Sequence, residues 1–317
     1  MKSILFSALT ATLMMPKSSP VQNDNGKYYE LISSADVSSF HRDYSGSLSF
    51  FKTAFLEFPK CVKDRERVRA LRASVFAEDI SFAKDQVGIL LSRATSVDAD
   101  TYYELKKISE DSSESSLENI TGWKDLIHVY NDSVIQSGPK YMTALSDKLD
   151  ALFDDDQTVR LRIDSLLKTS GKASHQTEID SLASLAMNRD ALQSVFVAEI
   201  IDSLGWLPIG VINAKANATL FLAIQHADEK PHLQERMLPI LKAAAEEGKT
   251  RSQYYAMLAD RVQFRKSGQQ KYGSQVFYDK DHNPMPKTLE DTNHLNRLRA
   301  SMGMVPMEAY LQAIRQN

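Results

Sequence analysis

The chain has 317 residues, 43% of them hydrophobic and 25% charged, with a formal net charge of −3. That length allows about two domains with a buried core in each half, and the near-neutral balance excludes nucleic-acid binding driven by charge. The single cysteine, Cys61, excludes an intramolecular disulfide and a cysteine-based zinc site.

The first twenty residues, MKSILFSALTATLMMPKSSP, set one lysine ahead of an apolar run from Ile4 to Met15. The run is too short to span a bilayer. It has the charged start and apolar middle of a secretory signal peptide, although no Ala-x-Ala site comes after it. Residues 1–20 are therefore expected to be an export signal, which would place the protein in the periplasm or outside the cell. A packed or disordered N-terminus of a cytoplasmic protein is the alternative. No later segment is apolar for long enough to be a transmembrane helix. PVQNDNGK is polar and turn-rich and reads as a linker.

From Lys27 to Gln136 apolar residues recur at three- and four-residue spacing, which predicts helices. In YYELISSADVSSFHRDYSGSLSFFKTAFLEFP, the small residues Ala35, Ser47 and Ala54 combine with Leu31, Tyr44, Phe51 and Pro59 at the offsets of a tetratricopeptide-type repeat. RVRALRASVFAEDISFAKDQVGILLSRA repeats the idea with Ala83, Val87 and Leu90. Such units bury their faces only by stacking; a plain helical bundle is the alternative. The expected domain, residues 27–138, is the part suited to a protein or peptide partner, or to bracing the second half of the chain. Lys63, Arg65, Arg67, Arg69 and Arg72 form a basic run interleaved with acids, expected to be a solvated helix face. SEDSSESSLENITG is expected to be a loop, and Gly138-Pro139 marks the domain boundary.

The second domain, residues 145–317, opens with a helix whose stripe includes Leu145, Leu149, Leu152, Phe153, Ile163 and Leu167. Asp156 and Arg160 fall on that stripe, four apart and able to pair. They are either a core-facing pair in need of partners or a surface pair at the end of the stripe. Further helices are predicted over ALQSVFVAEIIDSL, NAKANATLFLAIQHA, PHLQERMLPILKAAAEEG and SQYYAMLADRVQFRKSG. Asp228 is placed to cap the third of these, with Pro231 in its first turn, and Pro239 is expected to kink it. A small β-hairpin is predicted near 272–287, then two short helices. The fold class is mostly α, with tetratricopeptide-like repeats followed by a helical domain carrying a hairpin.

Four segments of this half put polar residues where burial is expected: Asp156, Gln157 and Arg160; Gln225, His226, Asp228 and Gln234; Asp260 and Arg261; Gln270, Tyr272 and Gln275. As a catalytic set, His226 would be a general base, Asp228 or Asp260 its orienter, and Arg261 an anion clamp. As a ligand set, Asp156, Gln157, Arg160, Gln234, Gln270, Tyr272 and Gln275 would read a polar molecule. As a structural set, Asp228 would cap, His226 and Gln234 would satisfy backbone groups, and Asp260 and Arg261 would tie the hairpin to the helices. The catalytic reading requires His226, Asp260, Arg261 and Gln275 to line one solvent-reachable cleft. No Gly-x-Ser-x-Gly or phosphate-loop motif accompanies them. His226 and Asp228 point to different faces of a regular helix, so no metal site and no cofactor is expected.

DDQTVR, GWLP, FLAIQHADEKPHLQERMLPIL, ADRVQFRKSGQQKYGSQVF and LRASMGMVPMEAYL occur in that order. Together they resemble an uncharacterised bacterial domain family of unknown function, with Asp-Gln-x-x-Arg, Gly-Trp, Gln-His-x-Asp, Asp-Arg-Val and Gln-x-Tyr-Gly-Ser/Thr-Gln motifs. The resemblance runs from about Leu145 to Ile314. It implies a tetratricopeptide-like region upstream and export, as in Bacteroidetes-type members, and it brings no activity with it. One local departure is the Leu-Pro-Ile-Gly that continues the Gly-Trp corner.

Overall fold

The computed structural model describes residues 20–94, 98–134, 141–168, 172–280 and 283–316. Residues 1–19, nearly all of the expected export signal, and the Gly138-Pro139 boundary lie outside them. Thirteen α-helices and one hairpin are found among the described residues, so the chain is mostly α as expected.

The N-terminal half holds α1 (Pro20–Phe40), α2 (Tyr44–Glu57), α3 (Asp64–Phe76), α4 (Ile80–Arg93), α5 (Ala99–Glu110) and α6 (Trp123–Val134). Acids begin several of them. Asp43, Asp79 and Asp98 each accept from a backbone N–H three residues on, at Gly46, Phe82 and Thr101, which satisfies a donor that the first turn leaves open. Neighbouring helices pack in pairs, α1 on α2 and α3 on α4. Ala35, Ser47, Phe51, Ala54, Ala83, Val87 and Leu90, picked out by their spacing, are all buried. The expected linker is the start of α1, and the expected loop contains a 3-10 turn over Ser112–Asn119.

The basic run departs from its expected exposure. Arg65 is 1% exposed, and it donates to Glu66 at 2.8 Å, to Asp100 at 2.6 Å and to the Ser301 carbonyl at 2.8 Å. Arg69 donates to Asp36, Glu104 and the Gly303 carbonyl. Alternating charges do not reveal whether the acids they meet are solvent-side neighbours or buried partners from other helices.

The C-terminal half holds α7 (Thr143–Lys168), α8 (Lys172–Leu204), α9 (Ala214–Gln225), α10 (Pro231–Glu246) and α11 (Ser252–Ser267). Then come β1 (Val276–Tyr278), β2 (Pro284–Pro286), α12 (Leu295–Ser301) and α13 (Met307–Gln316). β1 and β2 pair antiparallel with Val276 opposite Pro286, the predicted hairpin. Gly268, in the left-handed region at φ 71°, closes α11. Leu149, Val197, Trp206, Leu220, Phe221, Met237, Leu241 and Leu258 form the main core of this half.

The halves share surfaces. Ala300 of α12 belongs to the cluster built by Tyr28, Ile32 and Phe51. Asp100 of α5 accepts from Arg65 and also from the backbone N and hydroxyl of Ser252, at 3.0 and 2.6 Å, at the start of α11. Ala99 N–H donates to the Gly248 carbonyl, and Tyr103 O–H to that of Ala214. The end of the chain thus returns to the N-terminal helices.

Candidate functional site

The corner between α9 and α10 opens onto a cleft of ≈ 240 Å³, walled on its other side by α7 and α8. His226 ends α9 and lines this cleft, with its side chain 17% exposed. Behind it stands Asp156 of α7, 6% exposed. Its Oδ1 lies 3.1 Å from His226 Nδ1 and accepts from Arg160 Nε at 2.9 Å, while Oδ2 accepts from Gln157 at 2.6 Å. Arg160 also donates through Nη2 to both oxygens of Asp190 on α8, at 2.8 and 2.9 Å. Asp156 and Arg160 are therefore the partly buried pair, and their further partners are His226 and Asp190.

Electrostatics hold this arrangement. Burial pushes the Asp156 carboxyl up, but the hydrogen bonds and charges of His226 and Arg160 outweigh it and keep the group well below the usual carboxylate range. The carboxylate is ionised, so Nδ1 of His226 carries the proton and donates to it. Nε2 makes no hydrogen bond among the described residues. In the neutral ring it is a lone-pair acceptor on a side chain that lines the cleft. Burial raises the Asp190 carboxyl, only partly offset by Arg160.

Asp156, Asp190 and His226 each bring one ligand atom to a group within 4.8 Å. Sequence spacing compares His226 with Asp228 along one helix and does not find this three-element group. The Arg160 guanidinium is bonded to both carboxylates and supplies the positive charge that a cation would bring, so the donor set is already satisfied as an ion-pair cluster.

The other expected residues stand elsewhere. Asp228 does not cap α10; Lys230 is the N-cap residue, and the Asp228 carboxylate accepts from Arg261 Nη1 at 2.7 Å and from Arg265 Nη2 at 3.3 Å. Asp228 is at the cleft, but Arg261 is spent on it and is not a free anion clamp. Asp260, 0% exposed, accepts from the backbone N–H groups of Lys271, Tyr272 and Ser274 at 2.8 Å each. It does not orient His226. Gln234 donates to the carbonyls of Ile224 and Gln225 and accepts from Arg265. Gln270 clamps the hairpin through Gln275 and Lys287 backbone groups. Tyr272 is buried, and the Gln275 side chain donates to Ser274. Gln234, Gln270 and Asp260 thus serve backbone groups that a corner and an irregular loop leave open, and neither Tyr272 nor Gln275 lines the cleft. The grouping of His226, Asp260, Arg261 and Gln275 in one cleft does not form, so the catalytic set expected from the sequence fails as composed; of its members only His226 and Asp228 line the cleft.

Asp190 and Lys230 are site residues that the sequence pattern does not single out. Lys230 lines the cleft and donates to the Ala191 carbonyl at 2.6 Å and the Ser194 hydroxyl at 3.3 Å. The available signal is the α8 face Ala183, Ala186, Asp190 and Ser194, small residues with one acid at helical spacing.

No curated relative and no solved structure matches the chain. Residues 143–317 match the model of DUF6624, a family of unknown function, over α7 to α13 and the whole lining of the cleft. That is more than half of the sequence, and the chain belongs to the DUF6624 family.

Proposed function

We propose that the cleft at the α9–α10 corner is a ligand site built for acid–base chemistry, of hydrolase-like or transferase-like type. His226 is its general base and acid, and Asp156 takes the orienting role expected of Asp228 or Asp260. The observation that carries this reading is the Asp156–Nδ1 contact at 3.1 Å, which leaves Nε2 unused on a cleft-lining ring. A carboxylate bonded to Nδ1 fixes the tautomer and stabilises the imidazolium formed when Nε2 takes a proton. Arg160 is a positioning residue: it ties Asp156 to Asp190 and holds α7 against α8.

A non-catalytic reading has its own support. Arg160 is committed through Nε and Nη2 to two carboxylates, and no serine or threonine among the described residues donates to His226. In that reading the same cleft binds a small polar molecule without turning it over. The N-terminal half is read as a tetratricopeptide-like module that braces the cleft domain and offers its free faces to a protein or peptide, in an exported protein. The helix pairs of α1–α4 and the shared surface with α11 and α12 support the bracing part.

The test uses the full chain, assayed against chromogenic acyl, phosphoryl and glycosyl probes, with His226→Gln and Asp156→Asn as variants. General acid–base catalysis contributes about 10²- to 10⁴-fold, so a fall of that size in His226→Gln, with Tm nearly unchanged, is expected. Equal turnover in wild type and His226→Gln, or no turnover of any probe class, leaves only the binding reading.

A further inference from the structure

The lining of the cleft joins an apolar stretch to charged groups. Ile163 of α7 and Ala183, Ala186 and Met187 of α8 form an apolar wall. Charged groups stand beside it on the same two helices and at the α9–α10 corner, and most of that charge is matched within the protein. Asp190 is held by Arg160, and Asp228 by Arg261 and Arg265. Lys230 is the exception: it donates to two neutral oxygens and pairs with no carboxylate among the described residues. Glu229, the remaining acid of the lining, is exposed at the rim. An ammonium without a counter-charge therefore shares a small cleft with His226 and an alkyl-sized wall. At ≈ 240 Å³ the space lies below the roughly 300–1,000 Å³ of drug-sized pockets.

We propose that the cleft takes a short aliphatic carboxylic acid or its acyl ester, with the head between Lys230 Nζ and His226 Nε2 and the chain along Ile163, Ala183 and Met187. This rests on the acid–base reading of His226 and names its substrate class. For an ester, the oxygen of a water attacks the carbonyl carbon as His226 Nε2 takes a water proton. The acyl C–O bond then breaks, Nε2 returns that proton to the leaving alkoxide, and the acid product ionises to solvent. Lys230 neutralises the charge that develops on the carbonyl oxygen and remains on the carboxylate.

Calorimetric titration of the full chain with sodium acetate, butyrate, hexanoate and octanoate tests the class. Each buried methylene is expected to tighten binding about fourfold until the chain outgrows the cleft. Lys230→Met should weaken hexanoate at least tenfold, and Ala183→Leu should remove the gain from butyrate to hexanoate while leaving acetate binding intact. Hexylammonium should not bind. A flat series, equal affinity for hexylammonium, or unchanged hexanoate binding in Lys230→Met overturns the proposal; the salt series on the wild-type chain decides even where a variant fails to fold. His226→Gln should keep the chain-length dependence, because the apolar wall does not involve it. Loss of the acid–base reading, seen as turnover that survives His226→Gln, is thereby separate from loss of the acyl class.

Discussion

Replacing Arg65 by Met should weaken both halves of the chain together, because this one guanidinium joins them. Arg65 is 1% exposed and meets Glu66 at 2.8 Å, Asp100 at 2.6 Å and the Ser301 carbonyl at 2.8 Å. Its charge is secured: burial disfavours the guanidinium, but Glu66 and Asp100 outweigh that and raise its pKa well above the ordinary value. Methionine keeps much of the volume but leaves two acids short of a partner, and breaking a buried pair from one side costs about 3–5 kcal/mol. Arg93, half exposed in its pair with Asp64, is the control; an exposed pair contributes about 0–1 kcal/mol, so Arg93→Ala should change little. The chain has two tryptophans, Trp123 in the core of the N-terminal half and Trp206 in that of the C-terminal half. Trp123→Phe and Trp206→Phe backgrounds therefore let urea unfolding be followed in each half by fluorescence. Arg65→Met should move both transitions to lower urea together. A shift confined to the Trp123 signal, or a loss no larger than that of Arg93→Ala, refutes the idea that Arg65 joins the halves.

Two further outcomes are expected at the site and beside it. Asp156 has a folded-state pKa well below its unfolded value near 3.8, so its ionised form stabilises the fold above that pH and the contribution is lost as pH falls below it towards the folded value; the Tm difference between wild type and Asp156→Asn should be constant above about pH 5 and shrink progressively as pH falls below 3.8. Asp260→Ala removes the acceptor of three loop N–H groups and should cost roughly 3 kcal/mol or more in denaturant unfolding, while the NMR resonances of the His226 ring stay in place; a shifted His226 ring would show that Asp260 does reach the cleft.

Helical period, caps and turns depend on residues close in sequence, and they were legible. Alanines and leucines at three- and four-residue spacing marked the helices, Gly268 marked the end of α11, and the alternation before Asn283-Pro284 marked the hairpin. The four-residue offset of Asp156 and Arg160 made them able to pair, as they do, and the position of His226 at the end of an apolar helix marked the corner. An acid shortly before a Pro-led helix suggested a cap at Asp228. In the fold, two arginines of α11 claim that carboxylate instead, because they lie across from it and an ion pair replaces the cap.

The sequence by itself determined the class of fold, most of the helical segments and the residues rich enough in chemistry to matter, since each is written in local pattern and residue type; it missed the first turns of α1 and the part of α8 before Ala191. Only the tertiary structure decided what those residues do. Whether Asp156 or Asp260 meets His226, whether Arg65 faces water or two buried acids, and whether Lys230 finds a carboxylate depend on which helices pack side by side. That packing is settled by shape and burial over residues as far apart as Asp156 and His226, or Arg65 and Ser301, and no short-range pattern encodes it.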